Sequence, residues 1–254
     1  DFHVKNYGHV GVDSFYLEKA IRNATQRFKP KIIILYTGHN DLTNAYRRAV
    51  RPHFSFFKNT ILLTILKFMP QVKDHPEWHL DFNFDSQVHK LFSKIGLLKL
   101  DNQMFQRFDN LIQEYFHRNL TKITEYCRSQ NIKLVLISPI GNLHLEPTVG
   151  ENLRSQYFEA KKLSYEEKLL QLKEIRDRDW LSPDVRARSG MIDTIKGFHE
   201  PRNGIYFFDL EKSLGQQKVE FGYDEFFDTF HLTDKGHELV SKALEVFLKE
   251  FSLL

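Results

Sequence analysis

The stretch Lys31-Ile-Ile-Ile-Leu-Tyr-Thr-Gly-His-Asn-Asp41 decides the fold. Residues 31–37 read as a strand whose core, 32–36, is apolar at consecutive positions rather than alternate ones, the pattern of a parallel strand covered on both faces. Gly38, Asn40 and Asp41 follow at once, and these residue types suit the turn that leaves a strand. Upstream, Asp13 or Ser14 is placed to cap a helix that carries Leu17, Ile21, Ala24 and Phe28 on one face. Pro30 ends that helix. Residues 2–6 (Phe-His-Val-Lys-Asn) read as a strand ahead of it. Downstream, Phe105, Phe108, Ile112, Phe116, Leu120, Ile123 and Cys127 recur at helical spacing over 105–129. Residues 133–138 (Lys-Leu-Val-Leu-Ile-Ser) form a second buried strand closed by Pro139, and Ile205-Tyr-Phe-Phe208 a third. A last helix over 234–250 turns Leu239, Val240, Ala243, Leu244, Phe247 and Leu248 inward. Strands alternating with helices predict an α/β fold, a parallel sheet with helices on both faces.

The composition fits one such domain. The chain has 254 residues, 41% of them hydrophobic and 14% aromatic, so it is not a disordered polymer. Its net charge of +3 comes from both signs spread along the chain, which argues against a dedicated nucleic-acid surface. The lone Cys127 excludes an internal disulfide framework. Two stretches, at about 42–104 and 142–200, exceed ordinary connection lengths, and each follows the carboxyl end of a strand. They read equally as lids or pocket walls and as packing insertions in a single domain. The second includes a charged helix near 151–178, then Asp179-Trp-Leu-Ser-Pro183. The apolar run 54–69 is broken by Lys58, Asn59 and Lys67, and it reads better as a buried helix than as one resting on a membrane or acyl chain. Trp180 and the phenylalanines read as core or pocket wall rather than as a stacking platform for bases. Twelve histidines invite a metal, but neither His75-x3-His79 nor His231-x5-His237 comes with carboxylate or Cys ligands at a zinc spacing. No metal and no cofactor is expected.

Three short motifs lie where strands end. Asp228-Thr-Phe-His231-Leu-Thr233 precedes the last helix, which Thr233 is placed to cap. In a turn, an Asp three residues before a His brings its carboxylate to the ring Nδ1–H and leaves Nε2 available as a base. Taken singly, the spacing is also that of an ordinary surface turn. Gly38-His39-Asn40-Asp41 offers the Asn40 amide as an oxyanion donor, or serves only as a strand-to-helix turn. Gly8-His9-Val10-Gly11-Val12-Asp13-Ser14 does not fit a dinucleotide fingerprint.

Together, and in this order, the three motifs resemble the SGNH hydrolases, the GDSL esterase/lipase family. Gly11 resembles the glycine of that family's second block better than Gly8 does. Gly38-His39-Asn40-Asp41 resembles the third block, and Asp228 with His231 the fifth. The continuation His231-Leu-Thr-Asp-Lys-Gly-His237 is similar to the family as well. Residues 138–143 (Ser-Pro-Ile-Gly-Asn-Leu) look like the fourth-strand exit of some members. The resemblance implies a three-layer αβα, flavodoxin-like sheet. It implies an ester hydrolase of the esterase, lipase or carbohydrate O-deacetylase kind, with His231 as base, Asp228 orienting it, and Gly11 and Asn40 in the oxyanion hole. The substrate would be a small-molecule, glycan or lipid ester.

One block is missing. The family's nucleophile turn, Gly-Asp-Ser or Gly-x-Ser after the first strand, has no counterpart here. Ser14 lies after the second-block glycine, and Ser138 follows the wrong strand. In the family's strand order the first strand lies between the second and third, so residues 2–6 as a second strand would leave a central lane empty. A strand, a turn and a crossover helix of roughly 30–60 residues are therefore expected ahead of Asp1, carrying the serine. An exported or membrane-tethered protein fits such a preceding segment better than a cytoplasmic one. Two other readings stand: an O-acyltransferase on the same fold, and a non-catalytic binding or structural domain.

Overall fold

A computed structural model describes residues 3–9, 11–45, 102–147, 151–179 and 186–253. The chain divides into two compact units. The first comprises Asp1–Asp41, Phe116–Leu145 and Arg186–Leu254, and the second Leu42–Tyr115 and Glu146–Val185.

The first unit is built on a parallel sheet of three strands in the order β1 (Ile32–Tyr36), β2 (Lys133–Ile137), β3 (Ile205–Phe208). Tyr36 pairs with Ile137, and Ile137 with Phe208, so the three carboxyl ends lie level. β2 is central, and its Leu134, Val135, Leu136 and Ile137 are all buried, as consecutive apolar residues require. β1 departs from the expectation of burial on both faces: Ile34 is 45% and Tyr36 41% exposed. Among the described residues β1 pairs on one side alone, and an edge strand lacks the cover that a central strand receives.

The expected strand over residues 2–6 is corrected. Phe2 lies outside the described residues, and residues 3–6 are exposed and irregular. A strand exists by pairing, and residues 3–6 join no ladder with the described strands, although β1 leaves one edge open. The mixed α/β class holds, with a parallel sheet as predicted.

Helix α1 (Ser14–Phe28) begins and ends as the sequence suggests, with Lys29 in the left-handed conformation before Pro30. Asp13 takes the capping position without a capping bond from its side chain; Ser14 N–H donates instead to Asp41 Oδ1 at 2.9 Å. Of its expected inward face only Ile21 is fully buried, and Phe28 is 38% exposed. Helix α2 (His39–Ala45) starts directly at the end of β1. Helix α3 (Asn102–Ser129) buries Ile112, Phe116, Leu120, Ile123 and Cys127 completely. The side chains of Phe105 and Phe108 lie outside the description.

In the second unit, the single charged helix expected near 151–178 is two helices, α4 (Glu151–Ala160) and α5 (Tyr165–Arg178), packed on each other. The chain turns between them, and Ser164 Oγ donates to Glu167 Oε2 at 2.7 Å at the start of α5. Leu153, Tyr157, Ala160, Leu172 and Ile175 are buried in this unit. Most of the 42–104 stretch, including 54–69, His75 and His79, lies outside the described residues, as do Trp180 to Pro183.

Helices α6 (Ser189–Lys196), α7 (Leu210–Gln216) and α8 (Asp234–Glu250) complete the first unit. Ala243, Phe247 and Leu248 of α8 are buried as expected, and Phe208 of β3 stacks on Phe247 with ring centroids 4.6 Å apart. No described helix is long and apolar enough to cross a membrane.

Candidate functional site

The level strand ends gather the motifs. Gly38 leaves β1 with φ +137°, and a Cβ there would meet Pro139 Cγ, just beyond β2, at 2.9 Å. Two strand exits this close require glycine at one of them. From there α2 turns Asn40 toward the loop ahead of α1, where its Nδ2 donates to Val12 O at 3.2 Å. Gly11, next to Val12, is exposed and takes φ +70°. Asn40 and Gly11, expected in one oxyanion hole, are thus on adjoining turns.

Asp41 fixes this corner from beneath. It is fully buried, accepting Ser14 N–H and the Thr37 hydroxyl, each at 2.9 Å. Burial drives its pKa up to about 6; the Ser14 and Thr37 hydrogen bonds oppose the rise, and the charge of buried Asp13 adds to it. Ser14 Oγ in turn accepts from Asn119 Nδ2 of α3 at 2.9 Å.

The third motif folds as a tight turn held by its own aspartate. Asp228 Oδ1 accepts the backbone N–H of Phe230 at 3.0 Å and of His231 at 2.8 Å, while Oδ2 lies 2.6 Å from His231 Nδ1. Partial burial works to raise the Asp228 pKa, but the two N–H donors and the imidazole outweigh it and hold the carboxyl below its ordinary value. Bonded to a carboxylate acceptor, Nδ1 carries the proton, so the neutral ring presents a bare Nε2. The ring is 55% exposed. Thr233 caps α8 as expected, its hydroxyl accepting from Gly236 N–H at 3.2 Å and donating to Asp224 O at 2.6 Å.

Several residues for which no role was expected complete the site. Asn142, beyond β2, donates Nδ2 to Asp228 O at 3.2 Å and its backbone N–H to Thr229 O at 2.8 Å. The Asn142 carbonyl accepts from Arg186 Nη1 at 2.7 Å. Phe227 and Phe230 flank the His231 ring, with centroids at 5.7 and 4.4 Å. His39 stacks almost parallel on Phe230 at 4.5 Å. That stack joins the β1 exit to the Asp228–His231 turn through His39 and Phe230, while Asn40 reaches the Gly11 loop through Val12 O. Asn142 stands in the 138–143 stretch that resembles a fourth-strand exit of the family, but that likeness assigned it no role.

Neither serine near these motifs offers a hydroxyl to His231. Ser138 is buried, and its Oγ accepts Leu210 N–H at 2.8 Å at the start of α7. Ser14 is buried against Asn119. Among the described residues no group of three His, Cys, Asp or Glu side chains is arranged to hold a metal ion. Comparison with family models, with curated proteins and with solved structures found no match to this chain.

Proposed function

We propose that the chain forms the acid–base and oxyanion part of a serine ester hydrolase. The observation that supports this most is the Asp228–His231 pair. A carboxylate fixed by two backbone N–H groups holds the imidazole at 2.6 Å, with Nε2 turned away from the pair. In this reading Nε2 takes the proton of a serine hydroxyl as it attacks an acyl carbonyl, then delivers it to the leaving alcohol. Asp228 stabilises the imidazolium formed in between. The developing oxyanion is held by Asn40 and Gly11 on their adjoining turns. The attacking serine is that of the family's nucleophile block, which the resemblance matches to none of the residues named above. The substrate is a small-molecule, glycan or lipid ester, and the protons are carried by side chains alone.

The test uses the natural full-length protein. His231→Ala should abolish hydrolysis of acyl esters while the protein still melts cooperatively; retained activity would end the proposal. Asn40→Ala should lower kcat/KM by an amount corresponding to about 2.7–4 kcal/mol. Water and sugar acceptors competing for the acyl group would separate hydrolysis from acyl transfer in the product ratio.

A further inference from the structure

We infer that His39 is a positioning residue for His231, acting through the ring of Phe230. The inference rests on the hydrolase reading only in taking His231 as the working base.

The argument begins with what an exposed His–Asp pair lacks. His231 and Asp228 are 55% and 43% exposed, and ion pairs at such sites are screened and contribute little. A single hydrogen bond at Nδ1 leaves the imidazole able to swing about its side-chain torsions. What confines it is the pair of aromatic neighbours. Phe227 lies nearly parallel to it, at 12°, but is itself 65% exposed and backs the ring weakly. Phe230 lies closer, at 4.4 Å, so the orientation of His231 depends on what holds Phe230.

His39 does this. Its ring covers Phe230 at 4.5 Å and 10°, and it is itself buried. Both ring nitrogens are anchored. Nδ1 lies 3.1 Å from the Ala187 backbone N–H, which can only donate, so Nδ1 is the acceptor and the proton sits on Nε2. Nε2 lies 3.2 Å from the Tyr36 hydroxyl. That hydroxyl donates to Ile140 O at 3.2 Å and accepts Ile140 N–H at 3.1 Å. The exits of β1 and β2 and the start of the segment leading to α6 therefore clamp one neutral imidazole, and one face of it is the plate on which Phe230 rests.

Two substitutions separate the ring face from the hydrogen bonds. In His39→Gln, the side-chain oxygen can accept Ala187 N–H and the amide can donate to Tyr36, but the plate is gone. In Phe230→Leu, the plate remains and its passenger is lost. The readout is the imidazole of His231 by heteronuclear NMR: the shift of the Nδ1 proton and its exchange with water. We expect exchange to quicken about two- to tenfold in each variant, the range that one aromatic pair supplies. The Nδ1 proton should move upfield as its bond to Asp228 loosens, while Phe230→Tyr stays like the parent. A folded His39→Gln or Phe230→Leu variant with the parent's Nδ1 shift and exchange rate would overturn the inference. Should His39→Gln not fold, Phe230→Leu decides alone. The readout needs no ester turnover, so it fails or succeeds independently of the hydrolase proposal.

Discussion

Asn142 shows how much one side chain at a strand exit can hold. Its amide nitrogen reaches the Asp228 carbonyl and its amide oxygen accepts His144 N–H at 2.9 Å. Asn142→Ala removes both bonds from a buried position, and stability to denaturant should fall by about 1–3 kcal/mol. Asp41 makes a second prediction at this scale. Its pKa is raised from 3.8 to about 6, so the folded state binds the proton more tightly than the unfolded chain does. Its contribution is therefore complete below pH ~4 and is lost as pH rises toward ~6, on the order of 3 kcal/mol across the window. Asp228 runs the other way: its lowered pKa adds stability above pH ~4, lost as pH falls further. Denaturant titrations at pH 3 to 7 should show the Asp41 slope in the parent and none in Asp41→Asn. The Asp228–His231 pair was legible in the sequence because its partners are three residues apart. The Phe230–His39 stack was not, since it joins positions 191 residues apart whose contact only the fold creates.

Helix α8 is the element on which the site turn depends, and it is tied to that turn at Gly236. A Cβ there would press into the Glu225 carbonyl oxygen, well inside van der Waals contact, and lie 2.9 Å from Leu232 Cδ2. Helix propensity alone favours Ala over Gly within a helix. Gly236→Ala should nonetheless lower stability by about 1–3 kcal/mol, because the helix must back away from the loop before it. A thermal melt unchanged or raised would contradict this. Elements with a strong internal period were legible: α3, α8, β2 and β3 follow the runs read from sequence. The errors fell where a neighbour decides. Residues 3–6 have strand composition without a partner, β1 has core composition at a sheet edge, and the charge pattern over 151–178 runs on through a chain reversal.

For the whole molecule, the two units differ in how the chain builds them. The first is assembled from three separate segments around the parallel sheet, and the second from the two long stretches that leave strand ends. Cys127 lies in the first, on the buried face of α3, with its thiol pKa pushed up to about 11 by desolvation. As the sole cysteine, it makes the protein its own unfolding reporter. A disulfide reagent can reach this sulfur only when α3 leaves the core, and it needs the thiolate that burial suppresses. Labelling in dilute denaturant should therefore be slow and monophasic, and the opening free energy it yields should match that from global unfolding. Fast labelling without denaturant would mean that α3 opens on its own. One sulfur atom thus turns an ordinary colorimetric thiol assay into a clock for the opening of the sheet unit.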